Sequence, residues 1–297
     1  MRTARYYLSQ ISRTKEVFYP LSEEERIGLK KCLLEMYVDV LAVCEKHQLR
    51  VMLGGGTALG AVRHGGFIPW DDDLDLMMPR EDYDQFFTVF AQETQGKYLT
   101  FAPRHGEGKC LFGKVIRKGT VLSEAAYRDV DETDGIYIDV FPIDRMPNNR
   151  FLCYLKGKCL DMFRIGVTSI DYYKERRFLK QNILGVDSFL FFYIRFIIGF
   201  CFNLLGHQKM LAAFDRFAAS SRGDRYWSIP TGRAFALGEI HSQEIFFPLR
   251  KTKFEGVKAY MPNQVEVYLQ RLYGDYLQLP PVDQRERHYV VQFSLSK

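Results

Sequence analysis

The run at residues 53–78, LGGGTALGAVRHGGFIPWDDDLDLMM, constrains the fold more than any other part of the 297-residue chain. A short apolar segment, residues 51–53, meets three glycines, Gly54, Gly55 and Gly56, and then a stretch from Thr57 that suits a helix. This order reads as a strand, a tight turn and a helix N-terminus. Glycine lets the backbone of such a turn close on an anion, which the unpaired amides and the helix dipole favour. Gly55, Gly56 and Thr57 are therefore the expected cradle for a diphosphate.

A few residues on, the chain reads Trp70-Asp71-Asp72-Asp73-Leu74-Asp75-Leu76. Side chains two apart on a strand share a face, so Asp73 and Asp75 converge while Leu74 and Leu76 turn to a core. Asp71 joins them if the strand begins early. Carboxylates this close repel unless a cation lies between them, and hard divalent ions take oxygen ligands. Mg²⁺ is the expected ion, with Mn²⁺ as the other candidate. A merely solvated acidic turn conflicts with Leu74, Leu76, Met77 and Met78, which make the strand half-buried. An EF-hand loop would need glycine sixth and glutamate twelfth; counted from Asp71 those places hold Leu76 and Asp82, which excludes it.

In residues 135–144, Ile136, Ile138 and Val140 alternate with Tyr137, Asp139 and Phe141, so an acid sits inside a strand that otherwise reads as buried. A buried carboxylate is costly unless it is paired or metal-bound. Asp139 is the natural third ligand, and a salt bridge to a nearby Lys or Arg is the competing reading. Asp144, after Pro142, reads as a turn or cap residue. Lys114 and Arg117 fall in or just after a strand at 111–116. Either suits a charge clamp on a transferring phosphate, against the plainer role of a solvated strand-edge residue; the apolar neighbours in FGKV favour Lys114. His64 reads as a general base or a turn residue. Arg285, Arg287 and His288 suit substrate phosphate or a solvated tail, and Trp70 is a further substrate-binding candidate.

The stretch GGGTALGAVRHGGFIPWDDDLDL resembles the hallmark of the LicD family and, more distantly, the fukutin-related proteins. FPLRKTKFEG and MPNQVEVYLQRLYGDYLQLPP resemble a second hallmark, so the likeness runs over about residues 29–288 and is weakest at 148–221. Within the second segment Glu255 is another candidate acidic site residue. The resemblance implies the nucleotidyltransferase superfamily, in which a glycine turn precedes a paired-aspartate strand and a third aspartate arrives on a later one. It thus implies Asp73, Asp75 and Asp139 as the metal set. It also implies a Mg²⁺-dependent phosphotransferase that takes phosphocholine or a related phospho-alcohol from a CDP-activated donor, typically CDP-choline. The implied acceptor is a hydroxyl of a surface glycan, lipopolysaccharide or teichoic acid, in lipid-linked form, and CMP is released. Two other functions stay open on the residues alone: nucleotide transfer from an NTP to a small molecule or protein, and a non-catalytic membrane-associated scaffold.

These readings predict an α/β (α+β) nucleotidyltransferase-like fold with a mixed sheet flanked by helices. Residues 1–147 form the catalytic core, 148–221 a helical insert with membrane association in view, and 222–297 a part completing the catalytic domain with a helical end. Elsewhere the pattern predicts a long helix at 27–44 behind a capping box of Ser22 and Glu25. It predicts a second helix from Arg80 burying Tyr83, Phe86, Phe87 and Phe90, and strands at 98–101, 120–122, 226–229, 235–240 and 246–249. A helix at 263–272 ends at Gly274.

A net charge of +5 without a dense basic block suits anionic substrates or an anionic membrane surface, so no nucleic-acid partner is expected. Six scattered cysteines with no C-x-x-C pair read as reduced core thiols, and the N-terminal stretch lacks the apolar segment of a secretory signal. The catalytic part is expected to be cytoplasmic, with peripheral contact on the inner face of the cell membrane. The apolar run at 188–205 contains Arg195 and Asn203, which penalise insertion. It is expected to lie on the bilayer surface or in a lid, with Lys174, Arg176, Arg177 and Lys180 toward anionic lipid; a plain core helix is the alternative.

Overall fold

The structure, a computed structural model, describes residues 21–105, 110–124, 134–182, 185–281 and 290–296, together with Tyr7, Tyr19 and Arg285. The first helix, α1 (Glu23–Lys46), starts where the capping box predicts: Glu25 N–H donates to Ser22 Oγ at 3.2 Å and Ser22 N–H to the Glu25 carboxylate at 2.8 Å. Its buried stripe runs through Leu29, Leu33, Met36, Tyr37, Val40 and Cys44, whereas Ile27 and Val38 face solvent. The chain then forms β1 (Met52–Leu53), α2 (Gly55–His64), β2 (Asp75–Pro79) and α3 (Arg80–Glu93). Tyr83, Phe86, Phe87 and Phe90 of α3 are buried as their spacing demands.

β3 (Tyr98–Phe101), β4 (Gly113–Arg117), β5 (Val121–Glu124) and β6 (Tyr137–Met146) follow. The sheet runs β1-β2-β6-β4-β3, with β2 and β6 parallel and the other ladders antiparallel. It is therefore a mixed sheet, with the buried faces of α1 and α3 in the same core.

From β6 the chain leaves the sheet through four helices, α4 (Arg150–Lys174), α5 (Arg176–Asn182), α6 (Val186–Asn203) and α7 (His207–Ala218). It returns as β7 (Tyr226–Ser228), whose Ser228 lies opposite Asp144 on the far half of β6, and β8 (His241–Ser242) pairs with β7. A hairpin of β9 (Arg250–Phe254) and β10 (Val257–Met261) precedes α8 (Val265–Tyr273), and β11 (Val290–Ser294) pairs with β5. Gly274 caps α8 with a φ of +66°.

Two segments expected as strands fold otherwise. Phe235–Gly238 is a helical turn, because Asp161 of α4 accepts the Ala236 amide at 2.7 Å and Leu237 packs where Gly157 has no side chain. Gln243–Phe246 is a second such turn, so residues 246–249 are not a strand. Cys159 and Cys201 are exposed, unlike the buried Cys32, Cys44 and Cys153; no cysteine among the described residues is in a disulfide.

Asp144 is neither a turn nor a cap residue. It lies fully buried in β6 and holds Arg80 at the start of α3, with Nε to Oδ1 at 2.7 Å and Nη2 to Oδ2 at 2.9 Å. The Arg80 Nη1 donates to Asp215 of α7 at 2.8 Å, and Arg104 Nε donates to the other Asp215 oxygen at 2.8 Å. The network ties the sheet to the helical excursion. Removing one member leaves a buried charge without its partner, so Arg80→Met should cost about 3–5 kcal/mol, read as the shift in urea unfolding. A loss below about 1 kcal/mol would show that packing alone joins the two parts.

Candidate active site

The glycine turn is fastened to the aspartate strand before any ligand is considered. Gly54 N–H donates to the Asp75 carbonyl at 2.9 Å, and Asp75 N–H donates to Thr57 Oγ at 2.8 Å. Gly55 has a φ of +43°, in the left-handed region that favours glycine. A Cβ there would lie 2.9 Å from Asp75 Oδ2, and one on Gly56 would lie 3.0 Å from Asp71 Oδ2. The turn thus seats its backbone directly on the carboxylates. Thr57 is buried and serves the strand, while the Gly55 amide donates to the Tyr268 hydroxyl at 3.1 Å.

Parallel pairing sets Asp75 opposite Asp139, and antiparallel pairing sets Lys114 opposite Asp139 on the other side. Lys114 Nζ lies 2.8 Å from Asp139 Oδ1 and 3.2 Å from the centre of the Tyr137 ring. Before the strand, burial alternates: Asp72 and Leu74 are buried, Asp71 and Asp73 half-buried. Asp71, Asp73, Asp75 and Asp139 all line one cavity of about 830 Å³, together with Gly55 and Gly56. Asp139 therefore joins the other acids at the cavity and is salt-bridged to Lys114.

The facing wall was silent in sequence. Arg63 from α2, Arg164 from α4 and Arg233 from the loop after β7 line the cavity, with Trp70, Tyr268, Tyr273 and Tyr276 beside them. Arg164 donates to the Gly232 carbonyl at 2.6 Å and stacks on Phe235 at 4.3 Å; Arg233 lies 5.0 Å from the centre of the Tyr273 ring. Burial pulls the Arg164 pKa below its usual value, with the charges of Glu239 and Asp161 opposing. Glu239, also on this wall, is 1% exposed, and burial pushes its carboxyl up to about 7 despite the hydrogen bond from Ala234 N–H. No local motif marks Arg164, one of several basic residues along α4, and only the folded chain brings it to the cavity that the aspartates line.

The remaining candidates divide. Trp70 lines the cavity, its ring under the Arg285 guanidinium at 4.2 Å. His64 is exposed at the end of α2, edge-on to Trp70 at 6.2 Å and outside the cavity lining; burial first, then Arg63 and Lys30, lowers its pKa. Arg117 faces α1, where it pairs with Glu35 at 3.3 Å. Glu255 sits in the β9–β10 turn at φ +49° and accepts the Phe67 amide at 2.9 Å, bracing the loop after α2 away from the cavity. His288 and Arg287 lie outside the described residues.

Residues 48–158 match the family description LicD/FKTN/FKRP, nucleotidyltransferase domain. This part of the chain is similar to the LicD nucleotidyltransferase domain, and the match takes in rather more than a third of the sequence. Over 255 residues it is 28% identical to the lipopolysaccharide cholinephosphotransferase LicD of Haemophilus influenzae, covering 84% of this chain and 90% of that protein. A 52-residue segment is 51% identical to human ribitol 5-phosphate transferase FKRP, covering 18% of this chain and 10% of that one. An uncharacterized protein of Rickettsia typhi is 35% identical over 140 residues, 47% of this chain and 42% of its own.

In this LicD-like domain the acidic wall comes from β2, β6 and the segment before β2, all inside the matched residues, whereas Arg164, Arg233 and the tyrosines come from outside them. The resemblance implies a divalent ion, and a wall of carboxylates without thiol or imidazole is the donor chemistry of a hard cation such as Mg²⁺ or Mn²⁺. Among the described residues no three His, Cys, Asp or Glu side chains are drawn together closely enough to hold a metal ion as they stand; at Asp139 the positive neighbour is Lys114.

Glu239 makes the second wall titratable. Its folded pKa of about 7 lies above the ordinary 4.5, so its stabilising contribution is complete below the ordinary value and is lost as pH rises through about 7. Against Glu239→Gln, which keeps an acceptor for the Ala234 amide, the native chain should lose about 3 kcal/mol between pH 4 and pH 8. Parallel urea unfolding across that range would show it; a constant difference would mean that Glu239 titrates alike in the folded and unfolded chain.

Proposed function

We propose that this LicD-like transferase moves phosphocholine, or a related phospho-alcohol, from a CDP-activated donor to a hydroxyl of a cell-surface glycan and releases CMP. The observation that carries the reading is a cavity lined by the carboxylates of Asp71, Asp73, Asp75 and Asp139 together with Arg63, Arg164, Arg233 and several tyrosines. It is supported by the activities for which two relatives are named, choline phosphate transfer to lipopolysaccharide and ribitol 5-phosphate transfer.

In the proposed reaction the acceptor oxygen attacks the phosphorus that carries the alcohol. That P–O bond forms as the bond to the CMP oxygen breaks, and the acceptor hydroxyl loses its proton. Asp73, Asp75 and Asp139 would hold Mg²⁺, or Mn²⁺ in its place, which would neutralise charge on the diphosphate. Lys114 keeps the Asp139 carboxylate aimed at the cavity through its ion pair. Arg63, Arg164 and Arg233 would offer guanidinium donors to phosphate oxygens, which a planar fork suits better than an ammonium. A quaternary ammonium would be attracted electrostatically to an aromatic face of the cavity. The proposed acceptor is lipid-linked, presented to the enzyme on the inner face of the cell membrane.

CDP-choline, CDP-glycerol and CDP-ribitol titrated calorimetrically with Mg²⁺ should rank the donors, with CDP-choline expected to bind most tightly. With a glycan acceptor, CMP release should fall about 10²–10³-fold or more in Asp75→Asn and Asp139→Asn. Absence of CMP from every CDP-alcohol would sink the reading, and label passing from an α-labelled NTP to the acceptor would replace it with nucleotidyl transfer.

A further inference from the structure

Helix α6 has two apolar faces, and the fold uses one. Phe192, Phe196 and Gly199 are buried toward the rest of the excursion, and Gly199 fits against the Ser169 carbonyl of α4 with no room for a Cβ. The other face shows Val186, Phe189, Leu190, Ile194, Ile197 and Phe200 to solvent, a stripe at helical spacing along the whole element. Stripes of this size on a soluble surface mark a binding site. Arg195, which would interrupt an apolar surface, is folded back: its guanidinium donates to Thr168 Oγ at 2.6 Å and lies over the Tyr172 ring.

Val186–Asn203 is long and apolar enough to cross a membrane by length and composition. Its packing argues against that, since a helix with one side fixed on α4 is not surrounded by lipid. The charges beside it point to a surface instead. Lys174 ends α4, and Arg176, Arg177 and Lys180 lie on α5, immediately before α6; Lys180 Nζ is 6.0 Å from the centre of the Phe196 ring. Against these four cations the adjoining acids are Glu175, Asp187 and Asp171, the last of which interacts with Lys174. An exposed apolar stripe whose preceding segment carries excess Lys and Arg is the chemistry of an interfacial helix on anionic lipid.

We infer that the exposed face of α6 docks on an anionic lipid bilayer, lying in its surface, with α5 supplying the cations toward the headgroups. Because α6 packs on α4 and α4 carries Arg164, docking holds the arginine wall of the cavity within about one helix diameter of the docked helix. The inference stands on the helix and its charges and does not require the transfer reaction above.

The full-length protein should float with vesicles of phosphatidylcholine and phosphatidylglycerol, and less with phosphatidylcholine alone. Ile197→Glu and, separately, Phe189→Glu should weaken binding about tenfold or more, since each removes an exposed anchor. Arg176→Gln, Arg177→Gln and Lys180→Gln should each weaken it about fivefold at low salt. Circular dichroism and the thermal midpoint should be unchanged, because these side chains lie outside the buried core. Failure to float with anionic vesicles, or flotation of Ile197→Glu equal to the native chain, overturns the inference. So does a native dimer that Ile197→Glu dissociates without vesicle binding, which would make the face a contact between two copies.

Discussion

The architecture depends on one register: Asp75 opposite Asp139 across the parallel β2–β6 ladder. Neighbouring strands lie about 4.8 Å apart, where two like charges at an effective dielectric of 20 repel by about 3 kcal/mol. Lys114 offsets part of that repulsion from the other side of β6, and the apolar residues of both strands secure the pairing.

Around that register, the glycine turn and the strand support each other in both directions. The Asp75 carbonyl holds Gly54, the Thr57 hydroxyl holds the Asp75 amide, and the missing side chains of Gly55 and Gly56 let the backbone reach the carboxylates. The helical excursion completes the arrangement from a distance. It leaves the end of β6, is held by the Arg80 network to Asp144 and Asp215, and brings Arg164 back to face the acids. A chain cut at the matched domain boundary would keep the carboxylates and lose much of the opposing wall.

Much of this was legible locally. The capping box of Ser22 and Glu25, the apolar face of α3, the alternation through Asp73 and Asp75 and the acid within the 135–144 strand are patterns of period two or of helical spacing, and each formed as its period demands. The failures share one cause. Phe235–Gly238 became helical because Asp161, far away in sequence, accepts its amide; Asp144 left its expected turn because Arg80 awaited it in the core. Arg117, an apparent clamp, turned to Glu35 because residues 114 and 117 fall on opposite faces of one strand.

By itself the sequence determined the elements, the turn that can approach an anion and the three acids, because turn chemistry and side-chain alternation act over a few residues. The tertiary structure alone decided that Lys114 reaches Asp139, that Glu255 braces a loop, that Arg164 and Arg233 join the site, and that α6 keeps one apolar face outward. Such contacts join residues tens to more than a hundred positions apart, and their free energy comes from burial and charge pairing that exist only once the sheet has closed.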